Sequence, residues 1–213
     1  MVKVKICGNT NAIDAIKAKE LGADFLGFIF CEGKRKILAD QAREIMSAVG
    51  SFDHFVGVFA NQPKEDVQAT AKKLGLKWLQ FHGEETSRYC KYFSEREFNV
   101  IKTFRIKDEL SLKRINEYDV SAFLFDTYSR NKLGGTGITF DWSIIEDKPY
   151  VHEKLFLSGG LTIHNLEAAL RQVKPYAIDV ASGVEKSPGI KDHQLLEQLI
   201  QIAKGKKHSG VSR

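Results

Sequence analysis

No run of about 18 consecutive apolar residues occurs in the 213-residue chain, so nothing in it reads as a membrane-spanning helix. The N-terminus lacks the charged segment and apolar stretch of a secretory leader and starts instead on a strand with alternating lysines; the expected compartment is the cytoplasm. Cysteine is scarce. Cys7, Cys31 and Cys90 are odd in number and widely spaced, which argues against a disulfide framework and suits reduced thiols. A Cys7–Cys31 bridge between neighbouring strand ends is conceivable, but Cys31 and Cys90 read as inert. No GxGxxG follows the first strand, which weighs against a dinucleotide fold. His82, Cys7 and Asp126 have no metal-ligand spacing, so neither a metal nor an organic cofactor is expected. No dense basic patch with interleaved aromatic residues stands out, so nucleic acid is not an expected partner. The net charge of +5 is spread out, apart from the tail Lys204-Gly-Lys-Lys. That distribution fits a solvated surface, and it also suits a small anionic substrate.

What the chain does contain is a repeated strand-loop-helix unit. Val2, Val4 and Ile6 alternate with Lys3 and Lys5 in a strand that ends on Cys7, and Gly8 turns the chain at once. Asn9, Thr10 and Asn11 offer caps for a helix over 12–21, closed by Gly22. Further strands are expected at 25–30, 54–59, 78–82, 99–104, 122–126, 154–157 and 177–180. Helices are expected near 38–49, 63–74, 84–93, 108–116, 142–146, 163–172 and 192–203. The near-continuous apolar run Phe25 to Phe30 marks a strand buried on both faces. Eight alternations predict an α/β fold, a single-domain (β/α)8 TIM barrel over 1–204; an open doubly wound sheet is the alternative. Residues 205–213 form a polar tail that is expected to fray.

In such a barrel the chemistry gathers where strands end. Two glycine-rich turns, Leu157-Ser-Gly-Gly-Leu161 and Ala181-Ser-Gly-Val-Glu185, follow the seventh and eighth strands. Glycine lets backbone N–H groups approach an anion, so Gly159, Gly160, Ser182 and Gly183 are candidates to hold a phosphate; either turn alone is equally a plain tight turn. Asp126 closes the apolar strand AFLFD, where a dry setting should raise its pKa and suit it to donate a proton, or where it caps the next loop. Cys7 is an ordinary buried thiol or, facing Asp126 across one mouth, a candidate base if a neighbour lowers its pKa. His82 is a strand-tip residue with either a structural or a lining role. Arg35 has the planar fork to hold a carboxylate, although Lys34 and Lys36 beside it also fit a solvated basic loop.

Taken together, VKICGNT (4–10), GADFLGFIF (22–30), VGVFAN (56–61), LQFHGEE (79–85), FDT (125–127), GGTGITFDW (134–142), LSGGLTIHN (157–165) and DVASGVEKSPGIKD (179–192) resemble the phosphoribosylanthranilate isomerase family of tryptophan biosynthesis. The resemblance runs in order through nearly the whole chain and implies an Amadori rearrangement of N-(5-phosphoribosyl)anthranilate. It implies Asp126 as general acid and Cys7 as general base. It places Arg35 against the anthranilate carboxylate, His82 and Asp179 along the substrate, and Gly159, Gly160, Ser182 and Gly183 on the phosphate. A small-molecule substrate and a monomer or homodimer follow. Another sugar-phosphate isomerase or a silent phosphate-binding protein remain as alternatives; the first strand's Cys7, where the former carry aspartate, weighs against that one. Three departures stand out: Gly33-Lys34-Arg35 lacks the family's serine, Lys36 replaces an aromatic residue in a loop about one residue short, and Ala181 replaces a serine.

Overall fold

The computed structural model describes residues 1–127, 139–146, 148 and 150–205. Eight parallel strands close into a barrel in sequence order: β1 (Lys3–Ile6), β2 (Phe25–Ile29), β3 (Phe55–Phe59), β4 (Trp78–Phe81), β5 (Asn99–Ile106), β6 (Ala122–Thr127), β7 (Leu155–Leu157) and β8 (Ala177–Val180). The outer helices are α1 (Ala12–Leu21), α2 (Ala39–Val49), α3 (Lys64–Leu74), α4 (Ser87–Ser94), α5 (Val151–Lys154), α6 (Leu166–Val173) and α7 (His193–Ala203). Closure is made by β1 on β8, with Lys3 opposite Ala177 and Lys5 opposite Asp179. Among the described residues no helix is long and apolar enough to cross a membrane.

A closed barrel has no solvent face, and this changes what strand alternation means. Val4 and Ile6 point outward into the layer between barrel and helices, where most of the core lies. Lys5 and Cys7 therefore point inward, and Lys5 is fully buried. At the N-terminal end of the barrel an inner cluster of Phe25, Val56, Ile101, Ala122, Leu124, Phe156 and Ala177 fills the lumen. Phe25 meets Trp78 and Phe156 edge-on, each at 5.2 Å between ring centroids. Burying each such ring contributes about 1.5–3 kcal/mol, so the lower lumen is an apolar plug and only its upper end is open to chemistry.

Several elements differ from the sequence expectation. The helix expected over 108–116 is instead two short 3-10 turns, Glu109–Leu112 and Ile115–Glu117. β5 runs on to Ile106, and Ser111 Oγ accepts from the N–H groups of Lys107 and Asp108; such local bonds favour turns over a helix. Helix α1 is capped by Asn11, whose Oδ1 accepts the Asp14 N–H, and not by Asn9. Asn9 is fully buried, and its amide donates to the carbonyls of Ile6 and Gly27, which ties the end of β1 to β2. Lys154 ends the short α5 where the sequence placed it in the seventh strand. After β8 the chain makes a hairpin, β9 (Glu185–Ser187) against β10 (Ile190–Lys191), turning through Pro188 and Gly189. Residues 134–138 of the GGTGITFDW segment and the tail 206–213 lie outside the described residues.

Candidate active site

A cavity of about 410 Å³ opens at the C-terminal ends of the strands. All nine candidate residues line it: Cys7, Arg35, His82, Asp126, Gly159, Gly160, Asp179, Ser182 and Gly183. Cys7 follows β1 and Asp126 lies in β6, so the thiol and the carboxyl approach the cavity from well-separated walls of the ring. Both are almost fully buried, at 5% exposure each.

Asp126 is oriented by its own chain. The Thr127 N–H donates to Asp126 Oδ1 at 2.9 Å, and Oδ2 lies 3.4 Å from His82 Nε2. The other ring nitrogen of His82 is 3.1 Å from Gln80 Nε2 and 3.4 Å from Thr103 Oγ1. Buried Gln80 and Thr103 thus support the half-buried His82 beside the carboxyl.

Around Cys7 the cavity is strongly charged. Lys5 Nζ lies 2.7 Å from Asp179 Oδ1, and it borders the same space beside Gly27 as the Cys7 sulfur. Lys191 Nζ donates to the Cys7 carbonyl at 2.6 Å and to Glu185 Oε1 at 2.9 Å. Burial pushes the Cys7 thiol up, and the Lys5 ammonium is the largest force acting the other way. Burial also opposes the charge on Lys5, but Asp179 and Cys7 outweigh it and its pKa is raised. Cys7, Cys31 and Cys90 are free thiols, so no Cys7–Cys31 bridge is formed.

Arg35 sits otherwise than in a solvated loop. Its Nε is 2.8 and 2.9 Å from the two carboxylate oxygens of Glu185, and one terminal nitrogen is 2.5 Å from Oε2. Gly8 makes room for it: a Cβ there would come 2.6 Å from Arg35 Cδ, at a backbone φ of +71°. One edge of the guanidinium is therefore held by Glu185.

The two glycine turns meet at the rim. A Cβ on Gly183 would stand 2.0 Å from the Leu161 carbonyl oxygen, so the turn after β8 packs directly on the turn after β7. Asn165 steadies the latter, donating to the Gly160 carbonyl at 2.9 Å and accepting the Thr162 N–H at 2.8 Å. Among the described residues the backbone N–H groups of Gly159 and Gly160 have no acceptor. Ala181 lines the cavity beside them.

Residue-type patterns did not single out Lys5, Gln80, Glu185 or Lys191. Period-two alternation gave the first two as strand residues without saying which way they point. Pro188-Gly189 between short polar runs was a hairpin signal that would have placed Glu185 and Lys191 on adjacent strands. No group of three His, Cys, Asp or Glu side chains that could hold a metal ion occurs among the described residues.

The model of the family described as N-(5'phosphoribosyl)anthranilate (PRA) isomerase matches residues 4–202. The N-(5'-phosphoribosyl)anthranilate isomerase of Pelobacter propionicus is 44% identical over 205 residues, covering 96% of each chain. The crystal structure of phosphoribosyl anthranilate isomerase from Thermotoga maritima superposes with a TM-score of 0.87 at 40% identity, over 96% of this chain and all of the other. A crystal structure of such an isomerase in complex with reduced 1-(o-carboxyphenylamino)-1-deoxyribulose 5-phosphate gives 0.83 at 39% identity, with the same coverage. With the barrel, the cavity and this full-length likeness in agreement, the chain belongs to the N-(5'-phosphoribosyl)anthranilate isomerase family.

Proposed function

We infer that this chain, with residues 1–204 as its single catalytic domain, converts N-(5-phosphoribosyl)anthranilate to 1-(2-carboxyphenylamino)-1-deoxyribulose 5-phosphate, with Asp126 as acid and Cys7 as base. The observation that carries this reading is one cavity reached by a thiol and a carboxyl from separate walls, with the glycine turns at its rim. Asp126 gives a proton to the ribose ring oxygen, the C1′–O bond breaks, and the nitrogen lone pair forms C1′=N. The Cys7 thiolate then takes the C2′ proton. The electrons of that C–H bond become C1′=C2′, and the C=N pair returns to nitrogen. The enolamine tautomerises to the ketone as the C2′ hydroxyl proton is lost and C1′ gains one. Bond changes balance without an outside reductant or oxidant.

The substrate carries a phosphate and a carboxylate, and the cavity meets it with Lys34, Arg35 and the glycine-turn amides at its lining. The phosphate falls to Gly159, Gly160, Ser182 and Gly183, and Arg35 offers the carboxylate the edge that Glu185 leaves open. His82 and Asp179 line the sugar between them. The working partner is this small molecule. Light scattering on the purified chain distinguishes monomer from homodimer.

The decisive experiment is a coupled assay with freshly generated phosphoribosylanthranilate. Turnover by the purified chain is expected; binding without turnover would leave a phosphate-ligand binding protein. Two substitutions test the phosphate end. Gly183→Ala drives a methyl into the Leu161 carbonyl and should raise KM about tenfold or more, the equivalent of one lost charge-assisted hydrogen bond, with a smaller change in kcat. Ala181→Ser adds a hydroxyl at the rim and should lower the KM for substrate and the inhibition constant of inorganic phosphate. Unchanged phosphate affinity in Ala181→Ser counts against a hydroxyl contact at this position.

A further inference from the structure

We propose that Lys5 is a positioning residue for the proton abstraction: its buried ammonium, held between Asp179 and Cys7 in the space that Gly27 leaves empty, stabilises the Cys7 thiolate. The proposal rests on the reading of Cys7 as the base.

Lys5 lies on β1 one inward step below Cys7, which follows the strand directly, so side chain and sulfur share one wall. It is wholly enclosed, and the neighbouring strands supply only one charged partner at its level, Asp179 at 2.7 Å. On the β2 side Lys5 is in register with the apolar Phe25, and two residues on Gly27 borders the sulfur and the ammonium. A Cβ built there would stand 2.8 Å from Cys7 Sγ and 3.2 Å from Lys5 Nζ. Gly27 sits in mid-strand and has no positive φ, so its backbone does not call for glycine. What it provides is the volume in which nitrogen and sulfur meet.

A buried ion pair is a poor device for stability. Its desolvation offsets much of its attraction, and apolar residues of similar size often do as well. The lumen just below is filled by apolar side chains, so apolar residues in place of Lys5 and Asp179 together would continue the plug. Stability alone does not call for the pair, whereas a negative charge forming on the adjacent sulfur does call for a cation here.

The other charged groups around Cys7 are committed elsewhere. Lys191 reaches the Cys7 carbonyl, not its sulfur, and pairs with Glu185. Arg35 is held by the same Glu185. Asp179 opposes thiolate formation, as does the nearby Cys31 if it carries negative charge. Lys5 is the cation that shares the space beside Gly27 with the sulfur, and its attraction is the strongest influence favouring the thiolate. In the abstraction step the sulfur lone pair takes the C2′ proton. Lys5 exchanges no proton; it passes from bridging two anions to pairing with Asp179 alone.

The test is the titration of Cys7 by ultraviolet thiolate absorbance, taken as the difference between the protein and its Cys7→Ala variant. In Lys5→Met the thiol pKa should rise by about one unit or more, a tenfold drop in thiolate at fixed pH. The acid limb of kcat/KM against pH should move up by the same amount, with KM changing less. A lysine with a merely structural role would lower Tm and leave the titration and the acid limb in place, which would overturn the proposal. Lys5→Met strands Asp179 and can fail to fold, so a second measurement uses variants that spare Lys5. The Lys5 Cε resonance in the unaltered protein should inflect at the pH where Cys7 titrates and lose that inflection in Cys7→Ala; no inflection also overturns it. Full turnover in Cys7→Ala would instead remove the role of Cys7 as base, whatever the titrations give.

Discussion

Cys7→Ala and Asp126→Asn should each lower kcat by about 10²–10⁴-fold, the range a positioned acid or base supplies, while far-ultraviolet circular dichroism and Tm stay close to those of the unaltered protein. Both substitutions are small. Cys7 borders the cavity, so loss of its sulfur widens a space already open and makes no sealed void. Asparagine in place of Asp126 would keep the shape of the side chain and an oxygen to accept the Thr127 N–H, but it has no acidic proton for the ring oxygen. The losses should fall on kcat more than on KM, because the anionic ends of the substrate are held elsewhere. Activity should rise with pH as Cys7 loses its proton, since the thiolate is the working form and burial pushes that thiol up. Coupled turnover of freshly made substrate gives the rates. Wild-type kcat in either variant would end the role assigned to that residue.

The sequence made these two residues visible because each is the last residue of a local pattern. Cys7 ends an alternating strand and Asp126 sits at the top of an apolar one, and a barrel turns every strand end to one mouth. Their supports were not visible for the opposite reason. Lys5 meets Asp179 across 174 positions of sequence, and Arg35 meets Glu185 across 150. Such pairs are created by closure of the barrel and leave no local trace. Alternation is also ambiguous about direction: in an open sheet Lys3 and Lys5 would be the wet face, whereas here Lys5 points into the lumen and is fully buried. The expected helix over 108–116 shows a different limit. Leu112 and Ile115 are buried and Leu110 is largely exposed, an apolar set that two 3-10 turns satisfy as well as a helix does.

Glu185→Gln should have the largest effect on stability, about 3–5 kcal/mol, equivalent to a Tm drop on the order of 10 °C in a chain of this size. The Glu185 side chain is only 4% exposed and neutralises two cations, Arg35 and Lys191, the latter fully buried. A neutral amide keeps the volume and leaves both charges uncompensated. The damage should also reach function, because Lys191 holds the Cys7 carbonyl at 2.6 Å and Arg35 faces the cavity; KM should rise and kcat should fall. The pH dependence carries the sign that identifies the cause. Burial opposes the charge on Glu185, but its bonds to Arg35 and Lys191 outweigh that and hold its pKa below the ordinary 4.5. A depressed carboxyl stabilises the fold at pH values above 4.5, and that contribution is lost as pH falls through the folded-state pKa. The gap between the unaltered protein and Glu185→Gln should therefore be full at pH 7 and narrow below about 4.5, measured by urea unfolding at several pH values. A gap under about 1 kcal/mol at pH 7, with KM unchanged, would mean that Arg35 and Cys7 are held in place by something other than this carboxylate.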